Sequence, residues 1–221
     1  MEVILHALPL QIAGAGVSLL ITLIGVILGS LLGLTAGLAR LSGNILLRLF
    51  GTSYVDFFRG TPLFVQIMLV YFGIPRLAVL MFDVNFSLNV WVASIISISL
   101  NSGAYIAEIF RAGVQSIEKG QIEAARSLGM TKSQAMRYVI LPQAFKRVIP
   151  PMGNEFIALL KDTSLLAVIG FEELARKTQL EAARTYATFE LWMTAALIYL
   201  AMTFTFSRLV DKLERRLKTG D

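Results

Sequence analysis

Residues 7–39 read ALPLQIAGAGVSLLITLIGVILGSLLGLTAGLA, thirty-three positions without an Asp, Glu, Lys or Arg. A helix needs roughly 20 apolar residues to cross about 30 Å of hydrocarbon, so this run is long enough to span. The chain opens Met1-Glu2 and its first basic residue is Arg40. A secretory leader instead begins with a basic region and carries a short apolar stretch. The run is therefore expected to be an uncleaved first span, about 12–39. Gly25, Gly29, Gly33 and Gly37 recur along it every four residues. Such a bare ridge lets two helix backbones approach closely where lipid offers no hydrophobic drive, which predicts a packing seam.

Three further uncharged runs, 60–75, 84–107 and 191–207, predict spans at about 53–74, 87–107 and 190–207. Residues 148–171 predict the remaining span, although Glu155, Lys161 and Asp162 interrupt it. The expected fold is thus an all-α membrane protein of five transmembrane helices, one domain over residues 1–221. Composition points the same way. The chain is 56% hydrophobic and 16% charged, against about 25% charged in soluble domains, which excludes an ordinary soluble globule. With no cysteine and only His6, thiolate metal sites, cysteine nucleophiles and histidine clusters are excluded as well.

The net charge of +5 suits either nucleic acid or a membrane surface, and the position of the charges decides. Fifteen of the twenty Lys and Arg fall in 40–59, 108–147 and 208–221. Four, Arg76, Arg176, Lys177 and Arg184, fall in the alternate connections, and Lys161 is intramembrane. Basic residues collect on the cytoplasmic side, so the orientation is expected to be N-out and C-in.

The 40 residues from 108 to 147 then form a cytoplasmic loop. Gln121–Leu128 reads as a short helix, Gly129 suits the left-handed position after a helix end, and Thr131-Lys132-Ser133-Gln134 matches a capping box. A second helix is expected from Lys132 until Pro142 disrupts it. The product is a helix–turn–helix with a local charge of +4. A recognition helix must lie freely in the major groove, and here both ends enter the bilayer within about 20 residues of the turn. Docking in a partner's groove suits the loop better than DNA, and no nucleic acid partner is expected.

Glu123-Ala124-Ala125, Gly129 and Ile140-Leu141-Pro142 resemble the EAA loop of ABC importer permeases. Phe58-Arg59-Gly60-Thr61-Pro62-Leu63, Asn101-Ser102-Gly103-Ala104-Tyr105, Gly153-Asn154-Glu155-Phe156-Ile157 and Leu213-Glu214-Arg215-Arg216-Leu217 resemble that family's polar amino acid branch. The resemblance implies a type I importer permease of the prokaryotic inner membrane. It implies a partner ATPase that binds ATP and Mg, an extracytoplasmic substrate-binding protein, and a second permease subunit, identical or not. It also implies that Glu123, Ala124, Ala125, Ser127, Leu128 and Gly129 form the coupling helix seated in the ATPase. Ala124 and Ala125 would keep one face flat, and Glu123 would meet a basic group or cap the partner's backbone. A second copy of the four letters, Glu181-Ala182-Ala183-Arg184, lacks the glycine, and its place in an outside connection reads as coincidence.

Ionisable groups inside a membrane are costly and so mark candidate function. Glu155 and Asp162 lie seven residues apart, within roughly 20° of one helix face and about 10.5 Å apart along the axis. They are candidates for the substrate pathway or, with Lys161, for structural ion pairs. Asn101 and Tyr105, four apart on one face, suit a ligand or a neighbouring helix; Thr163 and Ser164 are weaker, since such hydroxyls often bond their own backbone. Facing acids favour a cationic amino acid on Coulomb grounds. The chain has no G-x-x-x-x-G-K-[ST] run to cradle phosphate, so no catalysis and no cofactor are expected in it. An ion-coupled secondary transporter using Glu155 and Asp162 is the rival reading, but no inverted repeat supports it.

Overall fold

The uncharged run lies inside α1 (Glu2–Arg40), the first helix of a computed structural model that describes residues 2–218. Met1 and the last three residues of the expected tail, 219–221, lie outside the described residues. The helices that follow are α2 (Ile45–Gly60), α3 (Leu63–Met68), α4 (Ile74–Phe82), α5 (Val90–Gln115), α6 (Lys119–Ser127), α7 (Lys132–Ala135), α8 (Leu141–Asp162), α9 (Leu174–Thr185) and α10 (Thr188–Lys218). The chain is an all-α, multi-span membrane fold. Among the described residues four helical stretches are long and apolar enough to cross a bilayer: Glu2–Arg40, Leu63–Phe82, Val90–Gln115 and Thr188–Leu217.

Two of the expected spans take a different form. Residues 53–74 are divided at Thr61, which is extended (φ −120°, ψ 146°) because the following Pro62 disfavours the helical region. The apolar helix accordingly begins at Leu63. Residues 148–171 are not one apolar helix. They form the second half of α8, with Pro150, Pro151 and the charged residues in it, and pass at Asp162 into a 3₁₀ turn, Thr163–Ile169, closed by Gly170.

Pro142 does not end its helix as expected. A π-turn over Met136–Ile140 precedes it, in which the Leu141 N–H reaches back to the Met136 carbonyl. The same device, Leu69–Gly73, precedes Pro75, with the Ile74 N–H on the Leu69 carbonyl. A proline lacks the N–H and clashes with the carbonyl four residues back. One extra residue in the preceding turn shifts that carbonyl, and the helix runs on.

The glycine ridge is a seam, as its spacing predicts. A Cβ on Gly25 would lie 2.2 Å from Ile98, and one on Gly33 would lie 2.8 Å from the Gly103 carbonyl and from Ile106. Gly37 faces Ala107 and Phe110, so α1 and α5 run parallel. Because they are parallel, α2 to α4 must carry the chain back between them. Gly113 sits against Val148 while Ser102 faces Glu155, and Gly153 sits against Val210 while Phe156 meets Phe206, which sets α8 antiparallel to both α5 and α10. Ala7 and Ala15 of α1 pack with Leu191 and Ala195 of α10, again parallel. The core between them holds Ile21, Ile67, Ile98, Leu159 and Leu166, with Phe171 edge-on to Trp91 at 4.7 Å.

Candidate functional site

The loop candidates sit on α6 and the turn after it. Gly129 adopts φ +85°, and the Met130 N–H reaches the Ala125 carbonyl while the Gly129 N–H reaches Arg126. That pair of bonds is the Schellman arrangement, for which a glycine without Cβ is suited. The expected capping box is present: the Gln134 N–H donates to Thr131 Oγ1 at 3.2 Å, and the Thr131 N–H donates to Gln134 Oε1 at 2.8 Å. The turn is thus rigid on both sides. Glu123, Ala124, Ser127 and Gly129 are exposed, and Leu128 is 82% exposed. The two alanines do not share one outward face: Ala125 is 4% exposed, turned into the chain. Successive helical residues are about 100° apart, so only Ala124 can offer the flat surface.

The pathway candidates are brought together only in part. Asn101 is buried, and its amide donates to Gln66 Oε1 at 2.9 Å. Gln66 in turn donates to the carbonyls of Phe58 and Thr61 at 2.8 and 2.9 Å. Asn101 is thereby tied through Gln66 to the Phe58–Leu63 bend. Tyr105 is 38% exposed, with the Arg59 guanidinium over its ring at 5.5 Å. Glu155 is half-buried, faces Ser102 on α5 and Asp162 along its own helix, and lines an open cavity of about 710 Å³ with Arg147, Pro151 and Asn154. Lys161 and Asp162 are exposed, and among the described residues Glu155, Lys161 and Asp162 form no ion pair within 4 Å. Thr163 and Ser164 donate to the carbonyls of Leu160 and Lys161.

Two clusters escaped sequence reasoning. At the end of the apolar part of α5, Glu108 receives Arg40 Nη1 at 2.7 Å and the Arg111 guanidinium, with Arg59 farther off at 3.6 Å. Arg40, Arg59, Glu108 and Arg147 each border an apolar stretch of the sequence. That shared property was the available signal that they meet at one level. The second cluster surrounds Glu173, which is fully buried before α9. Its carboxylate accepts from the Arg176 N–H at 2.8 Å, Tyr199 Oη at 2.8 Å and Ser18 Oγ at 3.2 Å, tying α9 to α10 and α1. Burial pushes its carboxyl up from the usual range, partly offset by those hydrogen bonds. Nothing in the sequence separates Glu173 from its neighbour Glu172.

Comparison with known proteins follows the same lines. Residues 25–219 match the family model described as "Binding-protein-dependent transport system inner membrane component". The glutamine transport system permease protein GlnP of Escherichia coli (strain K12) is 41% identical over 96% of this chain and 94% of its own length. The arginine transport system permease protein ArtQ of Bacillus subtilis (strain 168) is 36% identical over 97% and 95%. A crystal structure of an amino acid ABC transporter with histidines superposes with a TM-score of 0.90 at 43% identity, covering 96% of each chain. The inward-facing MetNI methionine ABC transporter shares the fold, with a TM-score of 0.73 at 20% identity over 95% and 97%. By fold, sequence and extent of match, this chain belongs to the inner membrane components of binding-protein-dependent transport systems.

Proposed function

We propose that this chain is the permease subunit of an ATP-driven ABC importer for polar amino acids, spanning the bacterial inner membrane as one domain of five passes, N-out and C-in. Two permease subunits enclose the path, a separate ATPase binds ATP and Mg and hydrolyses ATP, and an extracytoplasmic binding protein delivers the amino acid. The alternating helix directions support five passes, with α8 and its 3₁₀ turn as the polar one sheltered by its neighbours. The Lys and Arg asymmetry supports the orientation.

The observation that carries the coupling role is the presented face of α6. Glu123, Ala124, Ser127 and Leu128 stand out from a turn that Gly129 and the capping box hold fixed, and Ala125 seats the helix on its own chain. Exposed leucine beside exposed glutamate on a short, rigid helix suits a groove with an apolar floor and a basic rim. ATP binding draws the paired ATPases together, pulls the two loops inward and shifts the helices toward the outward-open state, a population shift driven by differential affinity.

Within the membrane, Glu155, Asp162 and Tyr105 line the path, and Asn101 supports its wall. The relatives named for glutamine and arginine make these two amino acids the substrates to try first. The chain purified with its ATPase and reconstituted in proteoliposomes is expected to take up L-glutamine or L-arginine only with ATP and the binding protein. Uptake that follows a proton gradient without an ATPase would overturn the reading. Glu155→Gln is expected to shift selectivity away from cationic amino acids by about tenfold, the effect of losing roughly 1.4 kcal/mol of charge attraction. An unchanged substrate profile would return Glu155 to a structural role.

A further inference from the structure

We infer that Arg59 and Arg147 form a carboxylate-binding station at the inner mouth of the path, where the α-carboxylate of the amino acid is held after the substrate leaves Glu155. This rests on the amino acid reading above and adds a second, oppositely charged recognition point to it.

Arg59, from the last turn of α2, and Arg147, from α8, line one cavity of about 410 Å³ together with Tyr105, Glu108 and Ala112. That volume lies in the range of small-molecule pockets. Both guanidiniums have spare donors. The Glu108 oxygens are already occupied by Arg40 and Arg111, so Arg59 stays 3.6 Å away, held over the Tyr105 ring instead. Arg59 donates no hydrogen bond among the described residues, and Arg147 donates to the Ser116 carbonyl. Glu108 therefore faces three guanidiniums, Arg40, Arg59 and Arg111, while Arg147 lines the same cavity, and each guanidinium carries five N–H donors. The local excess is positive, and two planar forks from different helices suit a carboxylate.

The surroundings differ from those of the lipid-facing side of α1. The outward positions of α1 are Leu23, Ile27, Leu31 and Leu38, as acyl chains require. Around this cavity the exposed positions are Tyr105, Ala112 and Ser116 of α5 and Arg147 and Pro151 of α8, with Ile109 half-buried as its one large aliphatic side chain. Arg147 and Pro151 line both this cavity and the larger one that holds Glu155, so the two adjoin. Arg147, Pro151 and Glu155 follow at four-residue steps, which puts the acid and the arginine about 12 Å apart along α8. An amino acid carries both charges: the acid meets its ammonium or cationic side chain, and the arginines meet the carboxylate that every substrate of the class shares. Partial compensation by Glu108 keeps the second station weak, as a site on the way out must be.

The chain has no cysteine, so Ala112→Cys places a single thiol in the cavity. In the nucleotide-free complex with its ATPase, a sulfonated methanethiosulfonate is expected to label this thiol about tenfold faster than its trimethylammonium counterpart does. Whichever of L-arginine or L-glutamine the importer takes up is expected to protect the thiol, and the corresponding amine lacking the carboxylate is not. Arg59→Gln with Arg147→Gln should remove both the rate preference and the protection. If that pair fails to assemble, Arg59→Lys with Arg147→Lys should keep the preference and weaken protection. Equal labelling rates, or equal protection by the decarboxylated amine, would overturn the station. A preference abolished when phosphatidylglycerol replaces phosphatidylcholine in the nanodisc would assign the arginines to lipid phosphate and likewise overturn it. ATP-driven uptake in the unsubstituted complex tests the importer reading separately, since uptake with no charge preference at the introduced thiol would sink the station alone.

Discussion

Glu123-Ala124-Ala125-Arg126 in α6 and Glu181-Ala182-Ala183-Arg184 in α9 are the same four letters on two short helices, turned in opposite senses. In α9 the first alanine is buried, Ala182 against Ala7 and Leu191, and Ala183 is exposed. In α6 it is the second alanine, Ala125, that is buried, and Ala124 is exposed. The charges follow the alanines. Glu181 is paired with Arg184 at 2.8 Å. Arg126 turns instead to the Met130 carbonyl at 3.3 Å, leaving Glu123 exposed. The α9 copy satisfies its own polar groups, while the α6 copy presents them. A motif acts through the face it is given, and one residue of helical phase, about 100°, is enough to reverse it.

Charge reversal at the two glutamates separates the two copies most strongly. Glu123→Lys places a like charge against a basic rim, and is expected to cost about 2 kcal/mol or more of docking energy and to reduce ATP-driven uptake at least tenfold. Glu181→Lys breaks a partly exposed i,i+3 pair worth about 0.3–0.5 kcal/mol, so uptake should stay within about twofold of the unsubstituted protein. Equal losses in the proteoliposome assay would erase the distinction between presented and self-satisfied copies. The alanines give a crossed result. Ala182→Leu overfills a closed contact and is expected to destabilise by about 1–3 kcal/mol, read as a lower melting temperature in detergent. Ala124→Leu, on an exposed face, should change stability by less than about 0.5 kcal/mol while lowering uptake. A stability loss at Ala124 would mean that its face is already covered within the chain.

How far the sequence could foresee this depends on what each signal encodes. The 33-residue uncharged run and the four-residue glycine step specify a span and its seam, because both are properties of one helix. The capping box and Gly129 were legible for the same reason, as local backbone chemistry closed within a few residues. The break at Thr61 could also be read locally, from Pro62. The facing of Ala125 could not, since it depends on what α7 and the π-turn leave open beside α6. The Glu108 and Glu173 clusters bond residues up to 155 positions apart, and a single sequence carries no mark of such pairing. Asn101 looked like a pathway residue because a polar side chain in a span must have a partner; only the fold showed that the partner is Gln66.

The two helices also end differently, and this yields the smallest effects. Each terminates in a left-handed residue, Gly129 after α6 (φ +85°) and Tyr186 after α9 (φ +58°). Left-handed backbone costs a residue with a Cβ about 1–2 kcal/mol, so Gly129→Val should destabilise the turn by roughly that amount and misdirect Leu128. Melting of the complex should move only slightly, because the strain is confined to an exposed loop, while ATPase stimulation by the loaded binding protein should fall several-fold. At Tyr186 the exchange runs the other way. The side chain is 88% exposed, so Tyr186→Gly removes few contacts and relieves the left-handed strain. Glycine also gives the unfolded chain more freedom, at a cost of about 0.4–1 kcal/mol. The relief matches or exceeds the cost, and stability is expected to stay level or rise by up to about 1.5 kcal/mol with transport unaffected. A transport defect in Tyr186→Gly without loss of stability would show that the turn after α9, like the one after α6, is presented to a partner.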